Sequence, residues 1–281
     1  MSTLTTDVRR RPARESALAD VRVTQLRVLR SEWTKFRSLR STLITLAVAI
    51  VLTVGMGLLF AAVTNQQWDK FSPGEKATFD PIALSLGGFN FSQLALGVLG
   101  VLLITGEYST GMIRASLTAV PRRLPVLWGK LAVFVAAVFP LALAASLAAF
   151  LGGQALLDGT GRAVDLGSPG AARSVVGAAL YVTLAGLIAM GLGGLLRNTA
   201  AGISTFVGVF FVLPPLTQLL PESWSGFVPY PPSQAGTSMW GGSFGPPDPS
   251  QLSPGAGLAV LLAWTAASVA AAAWRLHRSD A

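Results

Sequence analysis

The sequence predicts an all-α membrane protein: six transmembrane helices, an N-terminal interfacial helix, and a short cytoplasmic helix between helices 2 and 3. Three observations predict it. Only 12% of the 281 residues are charged, about half of the roughly 25% usual for a soluble domain. Hydrophobic residues make up 52% and the mean hydropathy is +0.57. Six apolar runs, 42–63, 87–105, 131–151, 175–196, 200–220 and 257–274, contain no Asp, Glu, Lys or Arg. Each reaches the minimum of about 17 residues that a helix needs to cross the bilayer core.

Basic residues orient these spans. Ten Lys and Arg precede the first span, four lie between the second and third, one between the fourth and fifth, and two in the tail. The other connections hold only Lys70, Lys76, Arg162 and Arg173. Lysine and arginine favour cytoplasmic connections, so both termini are expected in the cytoplasm. The net charge of +8 follows from this arrangement and favours contact with anionic lipids. No separate basic domain is present, which argues against nucleic acid as a partner. Cysteine is absent, excluding disulfides and thiolate chemistry. The first apolar run starts too far along the chain, and is too long, for a signal peptide, so it is expected to remain as a span.

Along the chain, residues 1–20 are arginine-rich with little apolar content and are expected to be a disordered basic tail. Residues 21–40 are expected to form an amphipathic interfacial helix. Val23, Leu26, Leu29, Trp33 and Phe36 recur at helical spacing, with Arg27, Arg30, Glu32 and Lys35 largely elsewhere. In that position Trp33 and Phe36 lie among acyl chains and the cations meet phosphates; the alternative is a basic tail that only fixes orientation. The six-span domain follows, over 41–281.

The first outer connection, with Pro73-Gly74 and Pro81, reads as turn-rich, and the third, Gly-rich with Pro169, as another exposed connection. The fourth is only a few residues around Arg197-Asn198, making spans four and five a tight hairpin. The fifth, 221–254, has no Lys or Arg but carries Trp224, Phe227, Tyr230, Trp240 and Phe244. Such aromatics favour the membrane–water interface, so this segment either lies on or dips into the outer leaflet, or is a loose linker. Pro140 and Pro214-Pro215 are expected to kink the third and fifth spans.

The segment 106–130 between spans two and three is the most distinctive. It carries Glu107, Arg114, Arg122, Arg123 and Lys130 between two uncharged spans. Ser109-Thr110-Gly111 can start a short helix with Met112, Ile113, Leu117 and Val120 on one face, and Pro121 would end it. Glu107 is placed to pair with Arg114 or with the N-terminal helix. A lever and a solvated loop are both compatible with this pattern.

Catalytic chemistry is missing from the spans. The sole histidine, His277, lies in the tail, so neither a Ser–His site nor an H-E-x-x-H metal site can be built within the membrane. Without intramembrane acids, paired-aspartate proteolysis is excluded and ion-coupled transport is disfavoured. No G-x-x-x-x-G-K-[ST] phosphate loop occurs. The chain is therefore expected to be neither an enzyme nor the holder of a metal or cofactor, and any nucleotide energy must come from another chain.

Three segments carry a family resemblance. Ser31-Glu32-Trp33-Thr34-Lys35-Phe36-Arg37 resembles the N-terminal interfacial helix of actinobacterial ABC-2-type permeases, the membrane subunits of ATP-binding-cassette exporters. Glu107-Tyr108-Ser109-Thr110-Gly111-Met112-Ile113-Arg114, with Leu117-Thr118, Pro121-Arg122-Arg123 and Lys130, is similar to that family's segment between spans two and three. Gly194-Leu195-Leu196-Arg197-Asn198-Thr199 resembles its turn between spans four and five. The resemblance runs in order along the whole chain; Val120 departs from the more polar turn common in the family.

The resemblance implies a multi-pass plasma-membrane exporter subunit for a small molecule, peptide or lipid. It would pair with a second permease subunit, as a homodimer or heterodimer, and rest on a separate ATPase subunit that binds the ATP. Glu107, Tyr108, Gly111, Ile113, Arg114, Leu117, Pro121, Arg122 and Arg123 would form the coupling helix and its flanks, Arg197 and Asn198 a second contact, and Glu32, Trp33, Lys35 and Arg37 the interfacial helix. The alternative is a membrane anchor or sensor that docks an ATPase or regulator without moving a substrate.

Overall fold

A computed structural model describes residues 24–109, 124–158, 161–219, 221–241 and 251–278. Among these the chain is helical throughout, without strands. Six stretches are long and apolar enough to cross a membrane: Arg40–Lys70, Pro81–Tyr108, Leu124–Leu157, Ala171–Leu196, Thr199–Thr217 and Pro254–Arg278. They coincide with the six runs expected from sequence and extend several of them by a turn or more at the ends. The tail 1–20 and most of the segment between spans two and three lie outside the described residues.

The N-terminal helix is α1, Gln25–Ser38. After a one-residue break at Leu39 the first span begins as α2, Arg40–Gln67. The connection that follows is more ordered than its turn signals suggested. Helix α3, Pro73–Ala77, opens on a capping box in which Ser72 and Glu75 satisfy each other's backbone amides. Asp80 accepts from the Ile82 and Ala83 amides and so starts α4, Pro81–Leu86. The second span is thus two pieces, α4 and α5, Phe89–Ser109, separated at Gly87-Gly88. Gly88 is required there: a Cβ would run into the carbonyl of Thr53 on α2.

The third span, α6, Leu124–Leu157, is one uninterrupted helix that includes Pro140. The fourth, α7, Ala171–Leu196, is the centre of the bundle, 78% buried over its most apolar window against 22% for the fifth span and 28% for the first and sixth. Its small residues allow this. It packs on α5, α6 and the sixth span, α11, Pro254–Arg278, and where apolar lipid surrounds a bundle such close packing is the main source of cohesion.

The fifth span is broken. Helix α8, Thr199–Val207, passes into a π-helical turn at Gly208–Val212 and then α9, Leu213–Thr217. Pro214 and Pro215 lack amide protons, so an α ladder cannot continue evenly into them, and the wider turn takes up the mismatch. The fifth connection divides in two. Trp224, Phe227 and Tyr230 are exposed, but the chain then turns inward through α10, Pro232–Thr237, which packs on α11 and α7. Trp240 is fully buried beside Phe89, ring centroids 6.2 Å apart. Neither a loose linker nor a surface segment describes 232–241, because a ring of that size gains most by being enclosed, here beside Phe89 of the second span.

Candidate functional site

The site is built at the end of the bundle where α1 meets α5 and α6. On α1, Val28, Glu32 and Phe36 recur every four residues and so share one stripe, and all three are buried. That stripe faces α6. Gly129 makes room for it: a Cβ there would lie 3.1 Å from Val28 Cγ1 and 3.7 Å from Glu32 Cγ. Gln25 Nε2 donates to the Pro125 carbonyl at 3.2 Å, fixing the start of α1 on the start of α6.

Four charges close the arrangement. Lys130 Nζ, on α6, donates to Glu32 Oε2 and to Glu107 Oε1, both at 2.7 Å. Lys35 Nζ donates to Glu32 Oε1 at 2.8 Å and to Glu107 Oε1 at 2.9 Å. The Glu32 side chain is only 6% exposed, Glu107 and Lys130 10% each, and Lys35 29%. Two carboxylates and two ammoniums therefore share one low-water position with zero net charge. Burial alone would lower the Lys35 pKa; hydrogen bonds to Glu32 and Glu107, and then their charges, outweigh it and hold Lys35 above the ordinary lysine value. Glu107 Oε2 is buried and has no hydrogen-bond partner among the described residues. A cavity of about 450 Å³ adjoins the cluster, lined by all four charged residues and by apolar side chains of α1, α5, α6 and α7.

The sequence assigned these residues only in part. Glu107 pairs with the N-terminal helix through Lys35; the other pairing open to it, with Arg114, lies outside the described residues. Glu32, expected on the polar face of α1, is instead the centre of its buried stripe; Lys130 and Lys35 neutralise it there, which offsets part of the cost of burying a carboxylate. Trp33 and Phe36 do not share one environment. Phe36 faces the bundle, while Trp33 is 43% exposed and stacks on Phe36 at 6.4 Å between ring centroids. Arg37 is exposed. Lys130 had no assigned role at the site, though its position six residues into a helix starting at Leu124 puts it level with the end of α5. Gly111, Ile113, Arg114, Leu117, Pro121, Arg122 and Arg123 lie outside the described residues. Glu107 and Lys130 bracket that segment and join at its base.

A second group sits at the same end. Arg197 caps α7 in the left-handed conformation, φ 52°, and its amide donates to the Gly193 carbonyl. Its guanidinium donates to the Arg275 carbonyl at 3.1 Å and stands 5.2 Å from the centre of the Tyr108 ring. Asn198 accepts from the Ala201 amide and so starts α8. Arg197 thereby ties the ends of the second, fourth and sixth spans together, while Asn198 caps the start of the fifth. Thr199 Oγ1 adds a bond to Thr105 Oγ1 at 2.8 Å.

The mildly polar residues of the spans differ in environment. Gln93 is buried and accepts from the Tyr181 hydroxyl, and Ser92 is buried, whereas Ser204 and Gln218 are exposed. Among the described residues no cluster of three or more His, Asp or Glu could hold a metal ion. No protein-family model and no curated protein sequence matches the chain.

Proposed function

We propose that this chain is the membrane-spanning permease subunit of an ABC-2-type transporter, exporting a small molecule, peptide or lipid with ATP hydrolysed on a separate subunit. The observation that carries this reading is the four-charge cluster of Glu32, Lys35, Glu107 and Lys130. It binds both ends of the 107–130 segment to each other and to α1. Force applied to that segment would therefore reach the second span, the third span and the N-terminal helix together.

Six spans without a phosphate loop suit a subunit that depends on an external motor. The segments that resemble the family meet at one end of the bundle: α1, the end of α5 and the turn at Arg197-Asn198. In this reading that end is cytoplasmic, the membrane is the plasma membrane, and α1 lies at its surface with Trp33 in the lipid. A second permease subunit would cover part of the first, fifth and sixth spans, which bury little of themselves within one chain. An ATPase can shift the permease between states only through contacts that differ between those states, and a segment clamped at its base is suited to pass such differences on.

The test is isolation of the tagged full chain from its native membrane in mild detergent. Recovery of a P-loop ATPase in roughly equimolar amount is expected. Recovery of the intact chain with no ATPase, across several detergents, would contradict the reading and favour an anchor or sensor.

A further inference from the structure

The end of the bundle opposite the charge cluster carries an arrangement that neither the fold nor the transport reading uses. Asn65, in the last turn of α2, donates through Nδ2 to the Leu156 carbonyl at the end of α6, at 3.1 Å. The first and third spans therefore stop side by side, and in a membrane such span ends lie at headgroup height. Trp68 follows directly on α2, and two cations converge on its ring. The Arg162 guanidinium stands 4.0 Å from the ring centre and donates to Asn65 Oδ1 at 3.3 Å. The Lys76 ammonium, on α3, stands 5.6 Å from the same centre. Phe79 and Phe71 pack on the indole at 5.0 and 5.6 Å between centroids, and Trp68, Lys76 and Arg162 are all half-buried.

The ring attracts each cation but does not offset the repulsion between them. No carboxylate offsets it either. Among the described residues neither Lys76 nor Arg162 forms an ion pair, although Asp69, Glu75, Asp80, Asp158 and Asp165 lie close by in sequence. Glu75 is committed to the capping box with Ser72, and Asp80 to the Ile82 and Ala83 amides. The guanidinium uses one of its five N–H donors on the described protein, and the ammonium none. Two accessible cations, held together without a counter-charge and with donors to spare, fit an anion that accepts from both. At headgroup height the abundant anion is a phospholipid phosphate, and aromatic rings suit the boundary beneath it. A zwitterionic headgroup would add a third cation to the place; an anionic one would not. We infer that Lys76 and Arg162 hold the phosphate of an anionic phospholipid beside Trp68. The inference rests on the chain lying in a membrane and needs no ATPase, so its failure is separate from that of the transport reading.

The experiment is native mass spectrometry of the full chain in mild detergent, titrated separately with phosphatidylglycerol, phosphatidylethanolamine and phosphatidylcholine. Wild type should retain one phosphatidylglycerol more than Lys76→Gln with Arg162→Gln, whose affinity for that lipid should fall at least about fivefold. Circular dichroism checks that helix content is unchanged. Lys76→Gln alone, which leaves the Arg162–Asn65 bond intact, should weaken the same binding. Lys70→Gln removes an exposed cation of the same connection that has no contact with the ring, and should bind as wild type does. Retention of the other two lipids should not differ between wild type and variants. Soluble glycerophosphoglycerol at the same concentration should not displace the lipid. Undiminished phosphatidylglycerol binding in either folded glutamine variant at the ring would overturn the inference. An equal loss in Lys70→Gln, or an equal loss of all three lipids, would overturn it as well. Displacement by glycerophosphoglycerol would overturn the lipid assignment in favour of a soluble phosphodiester.

Discussion

Lys130 and Glu32 are 98 positions apart in sequence, yet Lys130 Nζ donates to Glu32 Oε2 at 2.7 Å. The contact joins the third span to a helix that precedes the first. Because Lys130 also donates to Glu107, a single ammonium links three separate elements.

Removing one member of this cluster should cost more than removing a matched pair. Lys130→Met leaves an excess carboxylate in a buried site and is expected to destabilise by about 3–5 kcal/mol. Glu32→Gln with Lys130→Met leaves Lys35 and Glu107 paired, and should cost less than the two single changes added together by about 0.5–3 kcal/mol. Unfolding in mixed micelles, followed by circular dichroism, measures all three; strict additivity would show that the charges act separately.

The docking of α1 should be insensitive to pH through neutrality and weaken in alkali. The Lys35 pKa is raised above 10.5 in the folded protein. Its contribution is therefore fully present below that ordinary value and lost as pH rises through the folded one. The thermal midpoint of the wild type should fall above pH 10.5 by more than that of Lys35→Met. Parallel pH profiles would contradict the assignment.

Arg197 occupies a backbone conformation that non-glycine residues enter at a cost, φ 52°. Arg197→Val should destabilise by about 1–2 kcal/mol more than Arg197→Gly, because a β-branched side chain is most hindered there. Arg197→Gly itself loses the bond to Arg275 and the Tyr108 ring contact. Equal stability of the two variants, by thermal unfolding, would place the strain elsewhere.

Two tryptophans of the fifth connection should behave differently. Trp240→Ala empties a fully enclosed position and is expected to cost about 3–5 kcal/mol. Trp224→Ala, at an exposed position, should change stability by less than about 0.5 kcal/mol. Thermal unfolding in detergent separates them.

What could be read from sequence follows from how local the signals are. The six spans were legible because an uncharged run of about 20 residues has few other uses. The breaks at Pro214 and Pro215 were legible in kind, since prolines act on their own helix. Trp240 was not, because its burial depends on α10 folding back against α7, and nothing within 221–254 signals that contact. Glu32 was missed for a related reason. Helical spacing already put it in line with Val28 and Phe36, but a carboxylate reads as solvent-facing until Lys130 is brought to it by the tertiary fold. Glu107 was legible as a partner for the N-terminal helix because it is the one acid between two uncharged spans.

The most direct test of the central claim is the amount of ATPase recovered per chain when the 107–130 segment is altered. Full-length wild type and the triple variant Arg114→Glu, Arg122→Glu, Arg123→Glu would be purified from membranes at matched expression. The variant is expected to insert normally, with the ATPase falling to background. Undiminished ATPase recovery with the variant would contradict it and place the docking surface elsewhere on the chain.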